Sequence, residues 1–178
     1  MKRFYIMIAI SMLTKGFSQN ISTKNGTILF EASIPYFEEI KAQNEAVSCQ
    51  LNIHNGKINS LALIKEFRFK LDLMTEHFNK NYIESNQYPK AQFRGKIIGF
   101  NWNIIGDQNK EFKLIGNLEL HGITKKIEAV AQLKKIDNQL EMITNFDINA
   151  MDFNIIIPKI ISNKIAKTIS IKTLFLLK

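Results

Sequence analysis

Apolar and polar residues alternate with a period of two along most of this chain, the pattern of strands that bury one face. The first alternating run is residues 26–32, GTILFEA, and the second is residues 47–53, VSCQLNI. Asn55-Gly56 follows, a dipeptide suited to a tight reversal. Residues 57–71 read as one strand with Leu61, Leu63, Phe67, Phe69 and Leu71 on one side, and Lys65 interrupts that face where a bulge would fit. Further runs cover residues 92–100, 111–121, 126–136, 139–148 and 168–177. Phe112, Leu114, Leu118 and Leu120 share a face with Gly116; Ile127, Ala129, Ala131 and Leu133 share another. In the last run Ile169, Ile171, Phe175 and Leu177 lie on one face with Thr173 among them. Eight strands joined mainly by short turns predict a mainly β domain, an up-and-down antiparallel β-barrel.

Two segments break the alternation. Residues 72–84 carry Leu73, Met74, Phe78 and Tyr82 near helical spacing, with Asp72 placed to cap the first turn. Residues 156–166 carry Ile157, Ile160, Ile161 and Ile165 in a helical pattern, and Pro158 is tolerable in a first turn. A weaker helical turn is indicated over residues 35–41. One or two short helices are therefore expected beside the barrel, covering a mouth or closing an end.

The first eighteen residues read differently. Lys2 and Arg3 precede an apolar run, Phe4 to Leu13, broken only by Ser11, and Gly16-Phe17-Ser18 puts small residues at −3 and −1 of a cleavage site. The run is too short to span a bilayer, so residues 1–18 are expected to be a cleaved secretory signal and not a stable membrane anchor. Residues 19–178 then form one domain. Loss of Lys2, Arg3 and Lys15 lowers the formal charge from +8 to +5. The remaining excess is spread along the chain and interleaves with no aromatic patch, which argues against nucleic acid as a partner. With a single cysteine no intramolecular disulfide can form, and Cys49 sits in an alternating stretch as a small core residue.

Motifs that carry catalytic chemistry are missing from the sequence: there is no G-x-S-x-G, no H-E-x-x-H and no Gly-rich phosphate loop. The one set of residues with metal-ligand chemistry is Glu76-His77 with His121, and adjacent helix residues point in different directions. Glu38-Glu39 reads as a solvated turn. Trp102, between two Asn, suits equally an exposed aromatic at a barrel mouth or the edge of a core.

The stretch His77–Gly95, HFNKNYIESNQYPKAQFRG, and the later Gly116–Ile127, GNLELHGITKKI, together carry a family resemblance. A helix runs into Tyr88-Pro89, then Ala91-x-Phe93-x-Gly95, then Gly116-x-Leu118 and Gly122-x-Thr124-x-x-Ile127, with Asp152-Phe-Asn-Ile and an apolar strand to close. In that order these residues resemble the YceI-like family of periplasmic lipid-binding proteins, over nearly all of residues 19–178. The resemblance implies a lipocalin-like barrel in the cell envelope, periplasmic or secreted, that holds a long isoprenoid, a quinone-like or other amphiphilic lipid without altering it. It implies no enzymatic activity and no resident cofactor, and it leaves a homodimer open.

Each element also has its own physical reading. Tyr88-Pro89 ends the helix. Gly95 and Gly116 are read as leaving room inside the barrel, and Gly122 as the turn residue at positive φ. The residues expected to line the cavity are Leu63, Phe67, Phe69, Phe93, Leu114, Gly116, Leu118, Ile127, Ala129, Ile169 and Ile171, with Phe78 and Tyr82 from the helix near a mouth. Ordinary core packing is the alternative for each. Lys65 and Thr173 are the polar residues expected on inward positions, too few for an enzyme site. The competing reading of the whole is a filled barrel that acts by interaction in envelope stress or assembly, with no ligand and an exposed apolar patch.

Overall fold

The computed structural model describes residues 19–159 and 161–178. The expected signal segment, residues 1–18, and Ile160 lie outside the described residues. Among the described residues nine strands form one antiparallel sheet: β1 (Asn20–Glu31), β2 (Lys41–Asn52), β3 (Lys57–Leu63), β4 (Arg68–Phe69), β5 (Lys90–Ile97), β6 (Lys110–Leu120), β7 (Ile123–Ile136), β8 (Gln139–Asn149) and β9 (Thr168–Leu177). Apart from the two-residue β4, each long strand pairs with its neighbour in sequence, and β1 pairs with both β2 and β9. The sheet is thus a closed up-and-down barrel of eight long strands, as the alternation predicts. Closure leaves no long free edge on which another chain could add.

The expected strand over residues 57–71 is divided. A 3₁₀ turn, Ile64–Glu66, separates β3 from β4, and both pieces pair with β2. The turn also changes which side faces in. Along β3 the inward positions are Ile58, Ser60 and Ala62, so Leu61 and Leu63 point outward and Leu63 is 44% exposed. From Ala62 to Phe67 is an odd step of five, and Phe67 and Phe69 face the interior on the opposite parity. Lys65 is exposed.

The expected helix forms as α1 (Asp72–His77), which widens into a π-helical turn over Phe78–Tyr82. Asp72 makes no cap hydrogen bond; Leu71 holds the N-cap position, and the Thr75 hydroxyl accepts from the Phe69 N–H instead. The second expected helix, residues 156–166, does not form among the described residues, where the chain makes successive turns. Pro158 has no N–H to give, and the β-branched isoleucines around it lose side-chain freedom in a helix. Residues 33–40 likewise form a loop, tied at its base by the Ser33 hydroxyl, which accepts from the Ile40 N–H at 3.0 Å. Reversals are tight where expected: His121 and Gly122 form a two-residue turn with φ of +51° and +73°. After β2 the turn is longer than Asn55-Gly56 alone, spanning residues 53–56 with Gly56 at φ +68°.

The barrel has two unlike ends. At one, the turn at 53–56, the turn at 137–138 and the loop 98–109 lie over a dense core of Leu51, Ile97, Leu133, Leu140 and Leu177, all essentially inaccessible. Ile105 is buried beneath that loop, and Trp102 packs against the core there. The Lys135 ammonium donates to the Trp102 carbonyl at 3.1 Å and lies 4.4 Å from the ring centre. Trp102 is thus the edge of a core, at the closed end. We call this end the floor. At the other end, the mouth, lie the loop 33–40, α1, the turn at His121 and the segment 150–167.

Candidate functional site

Inside the mouth half of the barrel is a cavity of about 470 Å³. Strand alternation supplies its wall: every strand of a closed barrel sends alternate side chains inward, and here those are mainly Ile, Leu, Phe, Ala and Met. Outward positions carry the charges, such as Lys113, Lys126 and Glu128, so the polarity is the reverse of a lipid-embedded barrel. Lys113 and Lys126 hydrogen-bond the Glu128 carboxylate and hold it down at about 2.

The structure places eleven of the thirteen expected residues on the cavity wall: Phe67, Phe69, Phe78, Tyr82, Phe93, Leu114, Leu118, Ile127, Ala129, Ile169 and Ile171. Leu63 is not among them, because the 3₁₀ turn after it reverses the parity. Gly116 is not either. It pairs with Gly95, and a Cβ at Gly116 would lie 2.5 Å from Phe93 Cζ and 2.6 Å from the Arg94 carbonyl oxygen. The paired glycines therefore seat the Phe93 ring; the room they leave is filled, not open. This corrects the expectation that they widen the interior. Gly26 does the same under Phe175. These two rings stand where the cavity meets the floor.

Sequence reasoning passed over part of the wall. Ile28 and Phe30 from β1, and Met142, Phe146 and Ile148 from β8, also line it, and their alternation was available as the signal. Ile155, Ile157, Ile161 and Ile165 reach the cavity from the irregular segment before β9. The helical spacing over residues 156–166 had marked Ile157, Ile161 and Ile165 as one apolar set; Ile155 lies before it. Near the mouth, Phe30, Phe67, Phe69 and Phe78 form an aromatic cluster with ring centres 5.3–6.1 Å apart.

Polar groups on the wall are few. Thr144 and Thr173, directly opposite on β8 and β9, bond to each other at 2.8 Å, so that each hydroxyl oxygen has a partner. Ser60 is the other inward hydroxyl on the strands; Glu38, His77, Tyr82 and Lys164 stand at the mouth. The inward polar pair Lys65 and Thr173 expected from sequence is thus Ser60, Thr144 and Thr173 instead. Among the described residues of this wall no hydroxyl or thiol is hydrogen-bonded to a histidine or a carboxylate.

Nor does the candidate metal set assemble. Glu76 bonds Lys80 at 2.6 Å, which holds its carboxyl below the usual range. His121 is buried elsewhere: its Nδ1 lies 2.9 Å from the Phe153 carbonyl oxygen and its Nε2 3.0 Å from the Glu84 carboxylate. Tyr88 packs on the same ring. His121 so ties the β6–β7 turn to the end of the helical segment and to the 150–153 turn. Among the described residues no group of three or more His, Cys, Asp or Glu is placed to hold a metal ion. Cys49 lies in the buried core, and burial pushes its thiol up to about 12.

Fold and cavity define a class: a closed antiparallel barrel with a polar exterior, a packed floor and an apolar interior chamber open at one end. The chain belongs to the YceI-like domain family, whose model matches residues 17–175. Among curated proteins none matches. Among solved structures, it is similar to a polyisoprenoid-binding domain from Saccharophagus degradans implicated in plant cell wall breakdown, at TM-score 0.76 and 11% identity. That match covers 90% of this chain and 98% of the other. It is also similar to BcnA of Burkholderia cenocepacia, at TM-score 0.70 and 12% identity, over 85% of this chain and 96% of the other. At these identities the likeness speaks for the fold.

Proposed function

We propose that this protein is a non-enzymatic carrier that holds one long isoprenoid, or a similar amphiphilic lipid, in the mouth half of its barrel, and that it works in the cell envelope after export. The observation that carries this reading is the 470 Å³ apolar chamber itself, within a barrel whose other half is tightly packed. An engineered cavity of about 150 Å³ takes one benzene ring, so 470 Å³ takes roughly twenty carbons of chain in proportion. Each buried CH₂ contributes about 0.8 kcal/mol, enough over that length to offset the ordering of a flexible chain. The polar end of the lipid, and any length beyond the chamber, would emerge beside Glu38, His77, Tyr82 and Lys164. The polyisoprenoid-binding neighbour of the same fold supports the choice of lipid class.

A filled barrel acting only through its surface has the chamber against it. The test is native mass spectrometry of the purified mature protein, with organic extraction of whatever accompanies it. One isoprenoid-like lipid per chain is the expected result. A protein that emerges without lipid and stays so after incubation with isoprenoid alcohols and quinones would refute the carrier reading.

A further inference from the structure

We infer that the rim of the mouth is a membrane-docking surface, which seats on a bilayer carrying anionic headgroups so that cargo moves between chamber and lipid without crossing water. This rests on the carrier reading and adds the donor to it. Among the described residues four large apolar or aromatic side chains are more than 60% exposed: Tyr36 (fully), Ile156 at 78%, Met151 at 74% and Leu73 at 61%. All four belong to elements that frame the mouth: the loop 33–40, α1 and the segment before β9. Each has a sequence neighbour that lines the chamber, namely Phe37, Ile157, Ala150 and Met74. The rim therefore sends one residue into the cavity and the next outward into solvent. Tyr36 also holds φ at +70°, a left-handed conformation unfavourable for a non-glycine residue, while its side chain is fully exposed.

The charges around these side chains select the partner. Lys159, Lys164 and Lys167 lie in the segment before β9, and Lys65 and Lys70 lie in the stretch that leads from β3 into α1; all five are exposed and make no ion pair among the described residues. Glu38, Asp72 and Asp152 are the acids there in the same condition, so cations prevail. Apolar tips ringed by lysines match a lipid surface: the tips enter the headgroup–acyl boundary and the ammonium groups meet phosphate. Tyr36 has the amphipathic ring favoured at that depth. Among the described residues the floor end carries no apolar side chain of comparable exposure; Ile98 and Ile104 there are each 46% exposed.

Flotation of the mature protein with phosphatidylcholine vesicles, with and without 30 mol% phosphatidylglycerol, tests this. The anionic vesicles should carry the protein up. Tyr36→Ser/Leu73→Ser/Ile156→Ser should lower partitioning roughly tenfold or more. Lys70→Ala, Lys159→Ala and Lys167→Ala should each lower it about fivefold at low salt, on anionic vesicles only. The control Ile98→Ser/Ile104→Ser should change nothing. Uptake of a fluorescent isoprenoid alcohol without vesicles is measured on the same samples and decides the carrier reading separately, since none of the substituted side chains lines the chamber. A wild-type protein that takes up the alcohol yet does not float, or rim variants that float like wild type, would overturn the docking inference alone. So would a dimer in the vesicle-free sample that the rim substitutions dissolve, which would give the rim to a second copy.

Discussion

Ala129 and Ala131 stand two residues apart on the inner face of β7, and they live in different materials. Ala131 is fully buried among Leu133, Phe112 and the rest of the floor core. Ala129 borders the 470 Å³ chamber. The same residue type, on the same strand and the same face, thus marks the step from a packed solid to a space shaped for a guest. What separates the halves is a layer of aromatic rings: Phe93 on the paired Gly95 and Gly116, and Phe175 on Gly26. The barrel spends its stability on one half and keeps the other for binding.

The comparison fails if the halves respond alike to loss of volume. Leu133→Ala in the floor should cost about 2–5 kcal/mol, since a rigid core relaxes little around a void. In a domain of this size that is a fall in Tm of roughly 5–15 °C. Ile171→Ala, on the chamber wall, removes a side chain that already lacks neighbours on one side, and should cost less than half as much. Urea unfolding of both variants decides it.

Addition of volume sharpens the contrast. Ala131→Leu should overpack the floor and cost about 1–3 kcal/mol. Ala129→Leu should change stability by less than about 1 kcal/mol while reducing isoprenoid uptake at least tenfold, because the added carbons occupy space meant for cargo. Gly116→Ala belongs with the floor: it must displace the Phe93 ring or the Arg94 carbonyl, and should cost about 1–3 kcal/mol even without ligand.

A last contrast concerns pH. Burial raises the Cys49 thiol from 9.0 to about 12, so the unfolded chain loses this proton first as pH rises. Stability from Cys49 is therefore fully present below pH 9 and declines between 9 and about 12. Alkaline unfolding curves of wild type and Cys49→Ala should converge over that window, and a thiol reagent at pH 8 should leave the folded wild type unmodified.

Much of the barrel was legible because alternation is a backbone rule: a closed sheet must turn every second side chain inward, and Ile127, Ala129, Ala131 and Leu133 say so plainly. What was not legible depends on contacts distant in sequence. The alternation of residues 57–71 looks continuous, and the 3₁₀ turn that expels Leu63 is decided by how Ile64 and Phe67 find the interior. Gly116 looked like open space because a sequence does not show that Phe93, two residues before its partner Gly95, lies across both. The isoleucine-rich segment before β9 scans as a helix, yet Ile155, Ile157 and Ile161 are held by the chamber and Pro158 supplies no N–H. The family resemblance reached a function that periodicity alone could not, since a filled barrel and a hollow one share the same alternation.

Whether the chamber binds cargo is decided by thermal unfolding of the lipid-stripped protein with and without a twenty-carbon isoprenoid alcohol, in wild type and in Ala129→Leu. Ligand at about a hundred times its Kd contributes about 2.7 kcal/mol. The wild-type Tm should therefore rise by roughly 5–10 °C, and the variant's should stay where it is. An equal rise in both proteins, or none in wild type, would contradict the division of the barrel into a packed half and a binding half.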